Sequence, residues 1–373
     1  MPTTQTPYLV FINIIIVAII YFILNPFSRN SVKKNEQKYI LTIILCFVFC
    51  LFSFWGADWF HYQESFPLLK SGWKGNLEEV YLWIAQNLSP NYIIFRLIIW
   101  GSAFILFLKT INILSISKYI ALYFFGTIYI IWFAYARVSL AMVLVFYGYA
   151  LLNSCNRSKF IVKITALSAI GVSFFFHKTA LFAIGVAIVA FFMKKYPKKT
   201  LLLMLLLLPL FVVVVKTQLS SFLMIDFDSE DGDLSSYLMT GQNYMEKNQG
   251  ISGIGSLIQS FLERFPYYGI AYISYSSLRS KSVNLIPDDV KAFMILQFVI
   301  VVVSSIFALD LGVNTSTLYV RFMRFAAIPT TIVMAYFYEY KLNWFLTKRV
   351  ITLATCGTGY ALLYSFYNSL MRG

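Results

Sequence analysis

Apolar runs of 15 to 23 residues recur along almost the whole chain, and most of the charged residues collect at the ends of those runs. A low-dielectric slab imposes that pattern, because a charge held at the middle of a bilayer costs several kcal/mol. With 59% of residues apolar, 12% charged and a mean hydropathy of +0.72, there is too little polar surface to wrap a soluble domain. A hydrocarbon core about 30 Å thick takes about 20 helical residues to cross. On that ruler the chain divides into twelve spans: 8–24, 39–56, 92–109, 119–136, 138–153, 161–176, 179–193, 200–216, 256–278, 292–309, 320–340 and 350–368. The expected fold is all-α: one polytopic transmembrane helical bundle of about 12 helices over residues 1–373.

Two stretches, 119–153 and 161–193, are long enough to be mistaken for single helices. A 34-residue helix would run about 51 Å, well beyond the hydrocarbon thickness. Each stretch is also basic at both ends, with Lys118 and Arg157 around the first and Lys163 and Lys194 around the second. Both ends of each therefore want the same side of the membrane. The expectation is two hairpins, turning near Arg137 and near His177 on the opposite side.

Charge counting sets the orientation. The first run has no basic residue before it and several after it (Arg29, Lys33, Lys34, Lys38), the reverse of a cleavable signal peptide. It reads as a retained first helix with its N-terminus outside. In that topology 19 of the 30 Lys and Arg fall on the cytoplasmic side, whereas 12 of the 16 Asp and Glu fall on the other. Cytoplasmic loops are then short, and the two long segments, 57–91 and 217–255, are extracytoplasmic loops. Five carboxylates, Asp226, Asp228, Glu230, Asp231 and Asp233, make the second loop acidic without the Gly and terminal Glu of a calcium-binding hand, so it reads as a solvated loop.

Several function classes lose their support. The net charge of +14 is spread over helix flanks rather than a basic stripe with interleaved aromatics, so no nucleic acid is implied. Cys46, Cys50, Cys155 and Cys356 lie in or beside apolar runs with no CxxC pair, which argues against a cysteine metal site. No phosphate-binding loop, HExxH pair, GxSxG elbow or GxGxxG turn is present, so ATP-driven transport, zinc proteolysis and serine hydrolysis lose their usual support.

The chemistry-bearing residues gather at the non-cytoplasmic helix ends. Asp58 and Tyr62 follow the second span; Glu78 and Glu79 open a stretch, 80–88, too short to cross; Arg137 and His177 sit at the two hairpin tips; Arg321 and Arg324 open the span 320–340. Arg321 and Arg324 are three apart and share a helix face, and two guanidinium forks on one face match a phosphate or pyrophosphate. A single such arginine is more readily a headgroup-anchoring residue; the anion reading rests on Arg137, Arg321 and Arg324 as a set. His177 in an apolar run suits plain packing; beside a turn it is equally placed to be a base or a sugar ligand. Asp58 and Glu78 suit loop capping, or acceptance of a proton when a hydroxyl displaces an anionic leaving group. Trp55, Trp59, Tyr62 and Trp73 suit sugar stacking or an interfacial aromatic belt.

In order along the chain, Gly56-Ala57-Asp58-x-x-x-Tyr62, Leu77-Glu78-x-x-Tyr81, Arg137-x-x-Leu140-Ala141, Phe176-His177-Lys178-Thr179-Ala180-Leu181 and Arg321-x-x-Arg324-Phe325 resemble the EpsG-like branch of the Wzy-type polymerases of O-antigen and exopolysaccharide. One departure is Glu78-Glu79, where such proteins often carry Glu-Pro. The resemblance implies a glycosyltransferase of the bacterial cytoplasmic (inner) membrane, multi-pass, with its site facing the periplasm or exterior. Its donor and acceptor would both be undecaprenyl-pyrophosphate-linked oligosaccharides, used without nucleotide sugar, cofactor or metal, and its neighbours a chain-length regulator and a flippase. His177, Asp58 and Glu78 would be its catalytic residues, with Arg137, Arg321, Arg324 and Tyr62 binding substrate. A lipid-linked oligosaccharide transporter and an O-antigen ligase are the alternatives.

Overall fold

The computed structural model describes residues 15, 18, 66–72, 78–126, 136–154, 159–177, 180–194, 254–306 and 322–372. Among the described residues no strand occurs; residues 66–70 are helical, and ten longer α-helices follow: α1 Glu79–Asn87, α2 Tyr92–Ile113, α3 Lys118–Phe124, α4 Ala136–Asn153, α5 Phe160–Phe176, α6 Ala180–Met193, α7 Ile254–Arg279, α8 Asp288–Ile306, α9 Ala327–Glu339 and α10 Trp344–Arg372. Eight of the twelve expected spans overlap α2 and α4 to α10; the span 119–136 is described only at its two ends, where α3 takes in its first six residues. The expected spans 8–24, 39–56 and 200–216, and the loop 217–255, lie outside the described residues apart from helical Ile15 and Ala18.

The helix ends follow local chemistry. Asn91 caps α2, its Oδ1 accepting the Ile94 N–H at 3.0 Å. Past α2 the backbone turns through Ser115 at φ 54°, and the Ser117 N–H donates to Glu339 Oε2 at 2.9 Å, tying the start of α3 to the end of α9. Asp288 and Asp289 occupy the first turn of α8, where carboxylates favour the helix dipole. Within the expected span 320–340, Phe322 and Met323 are helical and a 3-10 turn, Arg324–Ala326, precedes α9. Pro329 falls in the first turn of α9, where its missing N–H costs least.

Helices α8 and α9 form the centre of the core. Every residue of α9 from Ala327 to Phe337 is buried. Gln297 of α8, wholly buried, donates from Nε2 to the Tyr267 carbonyl of α7 at 2.9 Å and to Thr330 Oγ1 of α9 at 3.2 Å, so one amide joins three helices. Helix α4 packs most closely on α5: a Cβ at Gly148 would lie 2.6 Å from both the Ala166 carbonyl and Ile170 Cγ1. Only a residue without a side chain permits that crossing.

The surface of α5 and α6 is apolar. Phe160 is 75% exposed, Ile161 77%, Phe175 64% and Phe192 73%. Such a face is unfavourable in water and suits a bilayer. One helix among the described residues, α2, is by itself long and apolar enough to cross a membrane; Val138–Asn153, Phe160–Phe176 and Ala180–Met193 are shorter apolar helices. The expected count of about 12 spanning helices is thus met in part. Helix α9 has 13 residues, and α7 runs on through Pro266.

The break expected near His177 is present, between the end of α5 and the start of α6. The two arms diverge, however: α5 lies chiefly on α4, whereas α6 packs on α8 and α4. At the far end of α4 and α6, Lys194 Nζ donates to Asn153 Oδ1 at 3.2 Å, and the Tyr149 hydroxyl donates to the Ala292 carbonyl of α8 at 3.1 Å. Asp289, just ahead of the span 292–309, belongs to this end. Burial pushes its carboxyl above the usual carboxylate range, against the lowering effects of the Val290 N–H and Lys194; Asp288 pushes the same way as burial.

A raised folded-state pKa means that the folded chain holds a proton which the unfolded chain has already lost. Asp289 therefore favours folding most below about pH 4, and this contribution is lost as pH rises through the shifted value. Asp289→Asn keeps the oxygen that the Val290 N–H binds at 2.8 Å and removes the charge. It should melt a few degrees above wild type in detergent at pH 8, and the gap should close towards pH 4. An unchanged melting difference across that range would refute the assignment.

Candidate functional site

The site is best built outward from the end of α5. His177 follows the last helical residue in extended conformation (φ −164°, ψ 125°). Its N–H donates to the Ser173 carbonyl at 3.2 Å, and its own carbonyl accepts the Ala180 N–H at 2.9 Å. The last carbonyls of a helix have no partner inside it. That of Phe176 is met from outside, by the hydroxyl of Tyr81 at 2.9 Å. The Tyr81 ring is wholly buried, edge-on to Phe176 at 5.9 Å and to Phe95 of α2 at 6.3 Å.

Tyr81 brings Glu78 with it. Glu78 is the residue before α1, extended and half-buried, and its side chain does not cap its own helix. Its carbonyl accepts the Tyr81 N–H at 3.0 Å. The short helix α1, expected as a stretch too short to cross, is thereby clamped against the ends of α2 and α5.

On the other side of His177, Phe182 in the first turn of α6 stacks on Phe322 with centroids 4.0 Å apart and planes 13° apart. It also meets Phe325 edge-on at 5.9 Å. Phe322 and Phe325 flank Arg324, which is half-buried in its 3-10 turn. Three of the motifs singled out in the sequence, around Glu78, His177 and Arg324, therefore meet at one end of the bundle. Arg137 is the second residue of α4, at that helix's N-terminus; its side chain, and Asp58, Tyr62, Arg321, Trp55, Trp59 and Trp73, lie outside the described residues.

The helix ends sort into two sets. Tyr81, Phe95, Phe176, Phe182 and Phe325 meet at one end, whereas Asn153 and Lys194 meet at the other, as do Ser117 and Glu339. Charge counting along the sequence divides the same ends in the same way.

One residue near the site was passed over by the sequence reading. Arg96 of α2, next to Phe95, is 2% exposed, with its guanidinium carbon 4.0 Å from the Trp100 ring centroid and 5.8 Å from that of Tyr92. Its sequence signal was an arginine one full turn inside an apolar run, deeper than a flanking anchor needs to be. Tyr92 and Trp100, four residues before and after it, are spaced to line one helix face.

Among the described residues no three His, Cys, Asp or Glu side chains gather as a metal site. Glu78, His177 and Arg324 are each half-buried, on segments that share this end of the bundle.

No curated protein and no solved structure matches the chain. A family model, that of the EpsG family, matches residues 37–371 and so takes in every motif described above. The chain belongs to the EpsG family of integral membrane proteins, related to the exopolysaccharide and O-antigen polymerases and serving polysaccharide biosynthesis.

Proposed function

We propose that this chain polymerises undecaprenyl-pyrophosphate-linked oligosaccharide repeat units at the outer face of the bacterial cytoplasmic membrane. The observation that carries this reading is the meeting of the Glu78, His177 and Arg324 segments at one end of the bundle, the end that charge counting assigns to the exterior. The lipid of each substrate stays in the bilayer, so its pyrophosphate lies at the interface where such a site would sit.

In this reading a hydroxyl oxygen of the acceptor's sugar bonds to the anomeric carbon of the growing glycan. The bond from that carbon to the pyrophosphate oxygen breaks, and the pyrophosphate leaves on its lipid. His177, with Glu78 or Asp58, takes the hydroxyl proton or orients the sugar. Arg137, Arg321 and Arg324 hold the departing negative charge, and Tyr62 holds a sugar. The activated glycosyl bond is already in the donor, so the reading calls for no nucleotide sugar, cofactor or metal. A chain-length regulator and a flippase are the partners it implies.

The test is to supply purified full-length protein in lipid nanodiscs with lipid-linked repeat units and no nucleotide sugar. A ladder of products is expected. A single transfer to a different acceptor would favour a ligase, and movement of intact glycolipid across the bilayer without new glycosidic bonds a transporter; either would overturn the polymerase.

A further inference from the structure

We infer that Tyr81 is a positioning residue that aims the imidazole of His177, an inference that rests on His177 serving the proposed site. A peptide unit is planar, so holding its C=O and its N–H fixes the whole unit. The unit between Phe176 and His177 is held at both ends, by the Tyr81 hydroxyl on its carbonyl at 2.9 Å and by the Ser173 carbonyl on its N–H at 3.2 Å. The next unit is held at the His177 carbonyl, by the Ala180 N–H at 2.9 Å. Both backbone torsions of His177 are therefore set, and with them the point and direction from which its side chain leaves the chain.

Two of these three bonds are local and would form in any helix that stops and restarts here. The third comes from a residue 95 positions away in the chain. Tyr81 also donates its own N–H to the Glu78 backbone carbonyl, so one residue ties the backbones of Glu78 and His177 to a common frame. The ring accounts for the packing against Phe95 and Phe176, and the hydroxyl alone accounts for the hold on the peptide. Phenylalanine at this position separates the two roles.

The experiment compares wild type, Tyr81→Phe, His177→Ala and the double variant as full-length protein in nanodiscs, with purified lipid-linked repeat units as substrate. Misplacing a reacting group by about 1 Å costs up to about a hundredfold. Tyr81→Phe is expected to lower kcat about tenfold with KM within about twofold, and to change the rate by less than about twofold once His177 is alanine. Equal losses in both backgrounds would overturn the inference, as would a rate unchanged by Tyr81→Phe.

A second readout is independent of activity. The chain has 2 histidines, so His61→Asn leaves His177 as the sole imidazole for NMR on isotope-labelled histidine. Tyr81→Phe should broaden or shift that signal and move its titration, and 4-aminophenylalanine at position 81, which keeps a donor at the same ring position, should restore both. An unmoved signal overturns the inference. So does failure of Tyr81→Phe to insert while the 4-aminophenylalanine variant inserts normally, since the bond would then be a folding contact. Should wild type make no polymer from any repeat unit, the proposed function falls while the NMR comparison still decides on Tyr81.

Discussion

Replacing Arg137 with lysine should abolish long-chain polymer while leaving the protein in the membrane at wild-type abundance. The position is at the start of α4, where the helix N-terminus adds its own partial positive charge. Lysine keeps a full charge there and loses the planar fork that binds two phosphate oxygens at once. If the guanidinium stabilises the departing pyrophosphate, the missing donors act on the transition state. Loss of one such donor typically costs about 10²- to 10³-fold in rate. Alanine should do the same or worse. The measurement is the product ladder from purified repeat units, with abundance and melting temperature as controls, and normal chain lengths from the lysine variant would remove Arg137 from the mechanism.

Gly148→Val should lose most of the folded protein. A Cβ at this position would lie 2.6 Å from the Ala166 carbonyl oxygen, a backbone atom that has no rotamer to retreat into, and 2.6 Å from Ile170 Cγ1. Overpacking of this kind typically costs about 1–3 kcal/mol, and the two further methyl groups of valine enlarge the clash. Helices α4 and α5 can relieve it only by moving apart, which shifts the backbone of Arg137 relative to that of His177. Alanine at the same position should already lower the melting temperature. Gly171→Ala, on α5 where an added Cβ meets nothing within 4 Å, should be neutral or slightly stabilising, since alanine favours helix by about 1 kcal/mol. Equal melting of Gly148→Val and Gly171→Ala would mean that α4 and α5 do not cross as described.

Much of the fold is legible locally. An apolar run bounded by charges specifies a helix in a bilayer whatever its neighbours, because the backbone must satisfy its own hydrogen bonds there. Accordingly α4, α5 and α6 fall within a few residues of their expected limits, and the break at His177 follows from a stretch too long to be one span. A local departure lies in the span 320–340, where a 3-10 turn, Arg324–Ala326, separates helical Phe322 and Met323 from α9. Which helices the two arms of the His177 hairpin pack against was not legible locally, since α6 meets α8 and α4 through shape complementarity rather than through the length of the turn.

By itself, then, the order of residues determined that this is a helical membrane protein, where its helices break, and which side chains could serve an anionic substrate; hydropathy, turn and charge signals are written within about one helix length, as is the basic–acidic asymmetry once summed over the loops. Tertiary structure alone decided that Tyr81 grips the peptide before His177, that Phe182 stacks on Phe322 beside Arg324, and that Arg96 is buried against Trp100. The first two are contacts between distant parts of the chain, and no local periodicity encodes which apolar faces will meet. For Arg96 the spacing places Trp100 on its face, but only the surrounding helices decide that the pair is buried.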